Sequence, residues 1–222
     1  MIRIYVANVE SYPTDFVEEK MKQLQEIRRK KIQSLKKEED RYRSLVAGFL
    51  LKDALKECGV DYENACFKED EQGKPYLEGE DSIHFNLSHA ENYVAVAVAD
   101  HPIGVDVESI SHFGKEPLTM VTRLSKRVLS ETEKEVFQQI EEGEKVQEFC
   151  RIWTGKEAYT KWNGKGIRMD FRSFSTSSDE FFWKKLSDKV WLAAYPVGGE
   201  PLEVIKKSPF SDSCEKKGKM LK

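Results

Sequence analysis

The chain lacks most of the features that mark several large protein classes. Cysteine is scarce: Cys58, Cys66, Cys150 and Cys214 are scattered with no C-x-x-C spacing. That spacing indicates neither a zinc site nor a disulfide framework. Long hydrophobic runs are missing, and no window approaches the roughly 20 apolar residues of a membrane helix. The opening, MIRIYVANVE, has neither the cationic nor the apolar stretch of a signal peptide. Neither charge sign dominates: 36 Lys and Arg face 39 Asp and Glu, for a net charge of -3. A general nucleic-acid binder usually carries a strongly basic footprint instead. There is no Walker loop, no G-x-G-x-x-G, no G-x-S-x-G elbow, and no cysteine set beside a histidine in a catalytic context. Phosphoryl transfer through a P-loop is therefore excluded, and covalent attack by this chain is disfavoured. The expectation from these absences is a cytoplasmic protein that binds neither nucleic acid nor membrane.

What is present suits one large domain or two small, closely packed ones. Of the 222 residues, 39% are hydrophobic, 11% aromatic and 34% charged, enough apolar mass for a core and enough charge for solvated helices. IRIYVANV reads as an opening strand. A charged helical stretch is expected from Pro13 to about Lys37, then a helix from Glu38 to Cys58. The apolar residues Tyr42, Leu45, Val46, Phe49 and Leu50 of the second helix share one face, and Gly59 stops it. SIHFNLSH, NYVAVAVAD and IGVDVE read as strands. Ser109 to Pro117 reads as a loop and Leu118 to Leu129 as a helix. Ser130-x-x-Glu133 is a capping box that opens a helix to about Glu142, and a long helix follows from Glu144 to Trp162. FRSFSTS, EFFWKKL and KVWLAAYPV are expected to be antiparallel strands. Each half runs strand, helix, strands, with a break near residues 100–104. That pattern lacks a βαβ rhythm and indicates α+β. The expected division is 1–102 and 103–208, with a flexible polar tail over 209–222.

The sharpest local signal is Asp106-Val107-Glu108. Residues two apart in a strand point the same way, so both carboxylates leave one face while Val105 and Val107 leave the other. Paired carboxylates suit a hard cation with oxygen ligands, Mg²⁺ or Mn²⁺. They equally suit a solvated acidic face. On the helix before Trp162, the apolar stripe Val146, Phe149, Cys150, Trp153 continues into Glu157. A carboxylate there must be paired, protonated or bound to a metal. Lys161, one turn on, offers an ordinary i,i+4 ion pair as the simpler alternative. Arg28, Arg29, Lys30, Lys31 and Arg43 are basic helical positions, Gly73-Lys74-Pro75 is a turn presenting a lysine, and Ser88-His89 closes a strand. Each could contact phosphate, and each could be a structural or solvated residue.

Taken in order, FNLSH (85–89), IGVDVE (103–108), WTGKEAYTK (153–161) and GKP (73–75) resemble the motifs of the 4′-phosphopantetheinyl transferases, in the long, monomeric, surfactin-synthetase-activating (Sfp-type) class. The resemblance spans roughly residues 28–166. It implies a pseudo-dimer of two similar α+β subdomains, each a small antiparallel sheet packed with a long helix, with coenzyme A and Mg²⁺ between them. By that resemblance, Asp106, Glu108 and Glu157 are the metal-binding acids and Lys161 contacts the phosphates. Ser88 and His89 lie at the coenzyme's phosphates, with the histidine near the 3′-phosphate. Lys74 and Pro75 fall near the adenine, and Arg28, Lys31 and Arg43 grip the 3′-phosphate. The partner is an apo acyl or peptidyl carrier protein, whose serine attacks coenzyme A and releases 3′,5′-ADP. Glu157 is the favoured base, directly or through a water. A non-catalytic member that binds the carrier or coenzyme A is the alternative. Residues 109–130, with Leu118, Met120 and Val121 beside Lys115, Arg123, Lys126 and Arg127, are expected to face the carrier.

Overall fold

A computed structural model describes residues 1–9, 14–164 and 169–207. The first half runs β1 (Ile2–Asn8), α1 (Thr14–Met21), α2 (Glu26–Ser34), α3 (Glu38–Glu57), the hairpin β2 (Phe67–Glu69) and β3 (Pro75–Leu77), then β4 (His84–Ala90) and β5 (Tyr93–Ala99). The second half runs β6 (Gly104–Ser109), a 3-10 turn at Ile110–Phe113, α4 (Pro117–Val128), α5 (Glu131–Gln139), α6 (Lys145–Asn163), a 3-10 turn at Phe171–Ser173, β7 (Phe182–Ser187), β8 (Val190–Tyr195) and β9 (Leu202–Lys207). The first sheet is ordered β4-β5-β1-β9 and the second β6-β8-β7.

The two halves share a plan. In each, the opening strand is followed by a long helix and then two strands, the last of which pairs between the other two: β1-β5-β4 and β6-β8-β7. All of these pairings are antiparallel. The expected two-part α+β architecture is therefore the observed one.

Strand alternation explains the layering. Along β5, Val94, Val96 and Val98 join Tyr5 of β1 in the core beneath α3, where Leu45, Leu51 and Leu55 are buried. Ala95, Ala97 and Ala99 point the other way, with Ile2, Ile4 and Val6, into a second core against Val105, Val107, Leu192 and Ala194 of the second sheet. The small alanines let the sheets approach closely, and period-two alternation lets one strand serve both layers. A third core, around Phe113, Val121, Leu129 and Phe149, seals α4, α5 and α6 together.

Two expectations change, and one strand was not anticipated. The charged helical stretch 13–37 is broken at 22–25, because Leu24 is buried and the Gln25 side-chain amide donates to the Tyr62 and Glu63 carbonyls. FRSFSTS is not a strand. Its backbone is used elsewhere: Phe171 O and Phe174 O accept from the Lys156 ammonium, and Thr176 N–H donates to Glu133. Finally, β9 returns to the first sheet and runs parallel to β1, from Ile2↔Leu202 to Ala7↔Lys207. The expected tail, 209–222, and Cys214 lie outside the described residues. No helix among the described residues is long and apolar enough to cross a membrane.

Candidate functional site

The site forms where an edge strand of each sheet meets the other. Strands β4 and β6 share no backbone ladder. Instead, side chains of β4 satisfy the backbone of β6: Asn86 Oδ1 accepts from Val105 N–H at 3.0 Å, and Ser88 Oγ accepts from Val107 N–H at 3.1 Å. Both bonds are buried, where an unpaired N–H is expensive. The polar residues of FNLSH are thus the seam between the halves.

With Val105 and Val107 turned into the inter-sheet core, Asp106 and Glu108 point to the other face, toward α6. That helix lies so close to β6 that a Cβ on Gly104 would meet Ala158 O at 2.0 Å. Its last turns bring Lys161 across, and Lys161 Nζ stands 2.7 Å from Asp106 Oδ1 and 2.8 Å from Ser88 Oγ. Ser88 Oγ completes the triangle by donating to Asp106 Oδ1 at 2.8 Å. Lys74, presented by a turn that Asp70 holds through the Gln72 and Lys74 amides, donates from Nζ to Lys161 O at 2.7 Å. A residue of the first half thereby steadies the lysine of the second.

Around the triangle opens a cleft of about 750 Å³, lined by Lys37, Arg43, Ser88, His89, Asp106, Glu108, His112 and Lys161. A smaller hollow of about 260 Å³ shares Lys161 and is lined by Lys74, Pro75 and Glu157. Arg43 is aimed by Asp40 Oδ1 at 2.6 Å and by the Glu91 carbonyl at 3.1 Å. Burial, then the neighbouring Arg43 and Lys161, push the His89 imidazole down to about 4, although the residue as a whole is exposed. Burial and then Asp106 push Glu157 up to about 7. Glu108 is raised for the same two reasons, with His112 Nδ1 at 3.5 Å working against the shift.

Arg28 and Lys31 are not among the residues lining the cleft. The Arg28 guanidinium instead donates twice to Ser44 O, at 2.8 and 3.2 Å, stapling α2 to α3. Lys31 is exposed on α2. Other lining residues were not anticipated: Lys37, Asp40 and Glu91 belong to no motif, and only their fold position reveals them, whereas His112 lies in the stretch 109–130 expected to face the carrier. Lys156, inside the tryptophan motif, is fully buried against Glu133 at 2.8 Å and serves the framework.

The acids fit a hard cation by their chemistry. Asp106 Oδ2 is buried with no hydrogen-bond partner, while Glu108 and Glu157 are each raised by Asp106. Three oxygen donors that repel one another call for positive charge, and Lys161 supplies part of it. Their oxygens do not all converge within 4.8 Å. Among the described residues, the set that does is Asp100, His101 and Glu200, at the protein surface.

Comparison with known proteins bears on residues 12–189. A model of the 4′-phosphopantetheinyl transferase superfamily matches residues 102–189. A model described as 4′-phosphopantetheinyl transferase, N-terminal, matches residues 12–101. The 4′-phosphopantetheinyl transferase gsp of Aneurinibacillus migulanus is 33% identical over 136 residues, covering 61% of this chain and 54% of the relative. A 4′-phosphopantetheinyl transferase of Bacillus subtilis is 32% identical over 149 residues, 67% of this chain and 63% of the relative. The 4′-phosphopantetheinyl transferase Sfp of Bacillus subtilis (strain 168) is 29% identical, with the same coverage. The chain spans 54% to 63% of the length of these relatives.

Proposed function

The chain belongs to the 4′-phosphopantetheinyl transferase superfamily, and from that membership and the chemistry of the cleft we infer that it transfers the 4′-phosphopantetheine group of coenzyme A to a serine of an apo carrier protein, acyl or peptidyl. The observation that carries this reading is the Ser88–Asp106–Lys161 triangle, in which three separate motifs meet at one point.

The basic side of the cleft, with Lys37, Arg43 and His89, suits the nucleotide phosphates of coenzyme A. Asp106, Glu108 and Glu157 would hold Mg²⁺, with Mn²⁺ an acceptable substitute. When bound, that ion neutralises pyrophosphate charge as the bond to phosphorus breaks. Lys161 adds a second positive charge at the same place. The carrier's serine oxygen forms a bond to the β-phosphorus, and the electron pair of the cleaved P–O bond leaves on 3′,5′-ADP. The serine proton passes to Glu157, directly or through a water, and a carboxyl held near neutrality is well matched to that task. Because the nucleophile comes from the partner, the chain needs none of its own. Both walls of the cleft come from one chain, which supports a monomer as the working unit.

The test is intact-protein mass spectrometry of an apo acyl carrier and an apo peptidyl carrier, each incubated with this protein, coenzyme A and Mg²⁺. One added phosphopantetheine, lost with EDTA, is the expected result. Asp106→Ala and Glu157→Ala are expected to abolish it with the fold intact. No gain on either carrier overturns the reading, and full activity in either variant overturns the site assignment.

A further inference from the structure

Glu91 is the one non-glycine residue with positive φ among the described residues, at +47°. It begins the two-residue turn between β4 and β5, closed by the Ala90↔Tyr93 pair. The first position of such a turn, when its φ is positive, favours glycine, because a Cβ crowds the backbone there. A glutamate held in that conformation needs compensating contacts, and strained positions of this kind gather at functional sites.

The contacts are present and reach in two directions. The Glu91 backbone carbonyl accepts from Arg43 Nη1 at 3.1 Å, on the basic side of the cleft. Its carboxylate accepts from Ser109 Oγ at 2.6 Å. Ser109 is buried, and its hydroxyl oxygen also accepts from Ser111 N–H at 3.1 Å, capping the 3-10 turn Ile110–Phe113. Phe113 anchors that turn from behind on Phe149 of α6, with ring centres 5.4 Å apart. Ser111 and His112 remain exposed on the rim of the cleft, with His112 Nδ1 3.5 Å from Glu108. One strained residue therefore ties the nucleotide side of the cleft to the opposite rim.

We propose that Glu91 is a positioning residue for the acceptor: its carboxylate holds the Ser109–Phe113 rim in the orientation past which the carrier's serine enters, while its carbonyl keeps Arg43 on the nucleotide. This rests on the transfer reaction inferred above. With phosphates on the basic wall, the acceptor must approach from the other rim, which the carboxylate of Glu91 fixes. Substitution by glycine separates the two duties, because glycine keeps the carbonyl and the turn while losing the carboxylate.

Two measurements on the full chain test this. In steady-state transfer with Mg²⁺, Glu91→Gly is expected to raise KM for the apo carrier about tenfold, the loss typical of one charged hydrogen bond. KM for coenzyme A should stay within about twofold. Glu91→Gln keeps an acceptor oxygen and should recover most of the carrier KM. Independently of any activity, the Ser111 amide should exchange with solvent faster in Glu91→Gly than in the wild type. Unchanged carrier KM, or an equal rise for both substrates, overturns the positioning role. Unchanged Ser111 exchange removes the clamp itself. Absence of transfer by the wild type, with Ser111 exchange altered as expected, overturns the parent reaction and the acceptor role built on it, leaving the clamp as a purely structural contact.

Discussion

Gly104 lies against the Ala158 carbonyl with no room for a side chain: a Cβ would stand 2.0 Å from that oxygen and 2.6 Å from the Trp162 amide. Both obstacles are backbone, so no rotamer change relieves the clash. Glu157 and Lys161 flank this crossing, which sets how far Lys161 reaches toward Asp106. Gly104→Ala should displace α6 from β6, destabilise the fold by about 1–3 kcal/mol, and reduce transfer by about 100-fold through misplacement of Lys161 and Glu157. Thermal unfolding beside the mass-spectrometric assay checks both, and wild-type activity in this variant would contradict the role of the crossing.

The seam between the sheets separates structure from chemistry at two neighbouring positions. Asn86→Ala leaves Val105 N–H buried without its acceptor and should cost about 1–3 kcal/mol in denaturant unfolding. Its remaining effect on transfer should be modest. Ser88→Ala removes the Val107 acceptor and also the hydroxyl shared by Asp106 and Lys161. It should lose stability to a similar degree and, in addition, lose transfer. Equal activity in the two variants would show that Ser88 acts only as a seam.

Lys156 and Lys161 lie in one motif but do different things. Lys156 is fully buried, paired with Glu133 at 2.8 Å, and donates to Phe171 O and Phe174 O. Glu133 in turn caps α5 and binds Thr176 through its backbone N–H and hydroxyl. Lys156→Met strands a buried carboxylate and should destabilise the protein by about 3–5 kcal/mol. Lys161→Met should chiefly remove transfer. Chemical denaturation of both variants, with activity measured at a temperature where each is folded, distinguishes the roles.

Two shifted groups, Glu157 and His89, give stability a pH dependence of known sign. Glu157 ordinarily titrates at 4.5 and is held at about 7 in the fold, so the native state binds the extra proton between those values. Its contribution is fully present below 4.5 and is lost as pH rises through about 7. His89 acts oppositely: pushed from 6.5 to about 4, its contribution is present above 6.5 and lost as pH falls through 4. In EDTA, Glu157→Gln should therefore gain stability relative to the wild type between pH 5 and pH 8. Guanidinium unfolding at the two values measures this, and a difference independent of pH would count against the shifted carboxyl.

Much of this molecule is legible locally. The alternation Val105, Asp106, Val107, Glu108 sets which side chains share a face, because the strand period is two. The spacing of Glu157 and Lys161 puts them on one helical face, because residues four apart are neighbours there. The Ser130–Glu133 capping box reads directly from four residues and forms as expected. These features depend on backbone geometry within a few residues, and for that reason the chain order alone determines them.

Tertiary packing decided the rest. Lys161 meets Asp106 across 55 residues and Ser88 across 73. Those contacts exist only because Gly104 admits α6 onto β6 and Asn86 joins the sheet edges. The same packing drew Arg28 away from the cleft to Ser44 O, turned residues 171–176 into partners of Lys156 and Glu133, and brought β9 back beside β1. In each case a polar group had to find a distant partner, and which partner lay within reach was set by how the layers stack and not by any neighbouring residue.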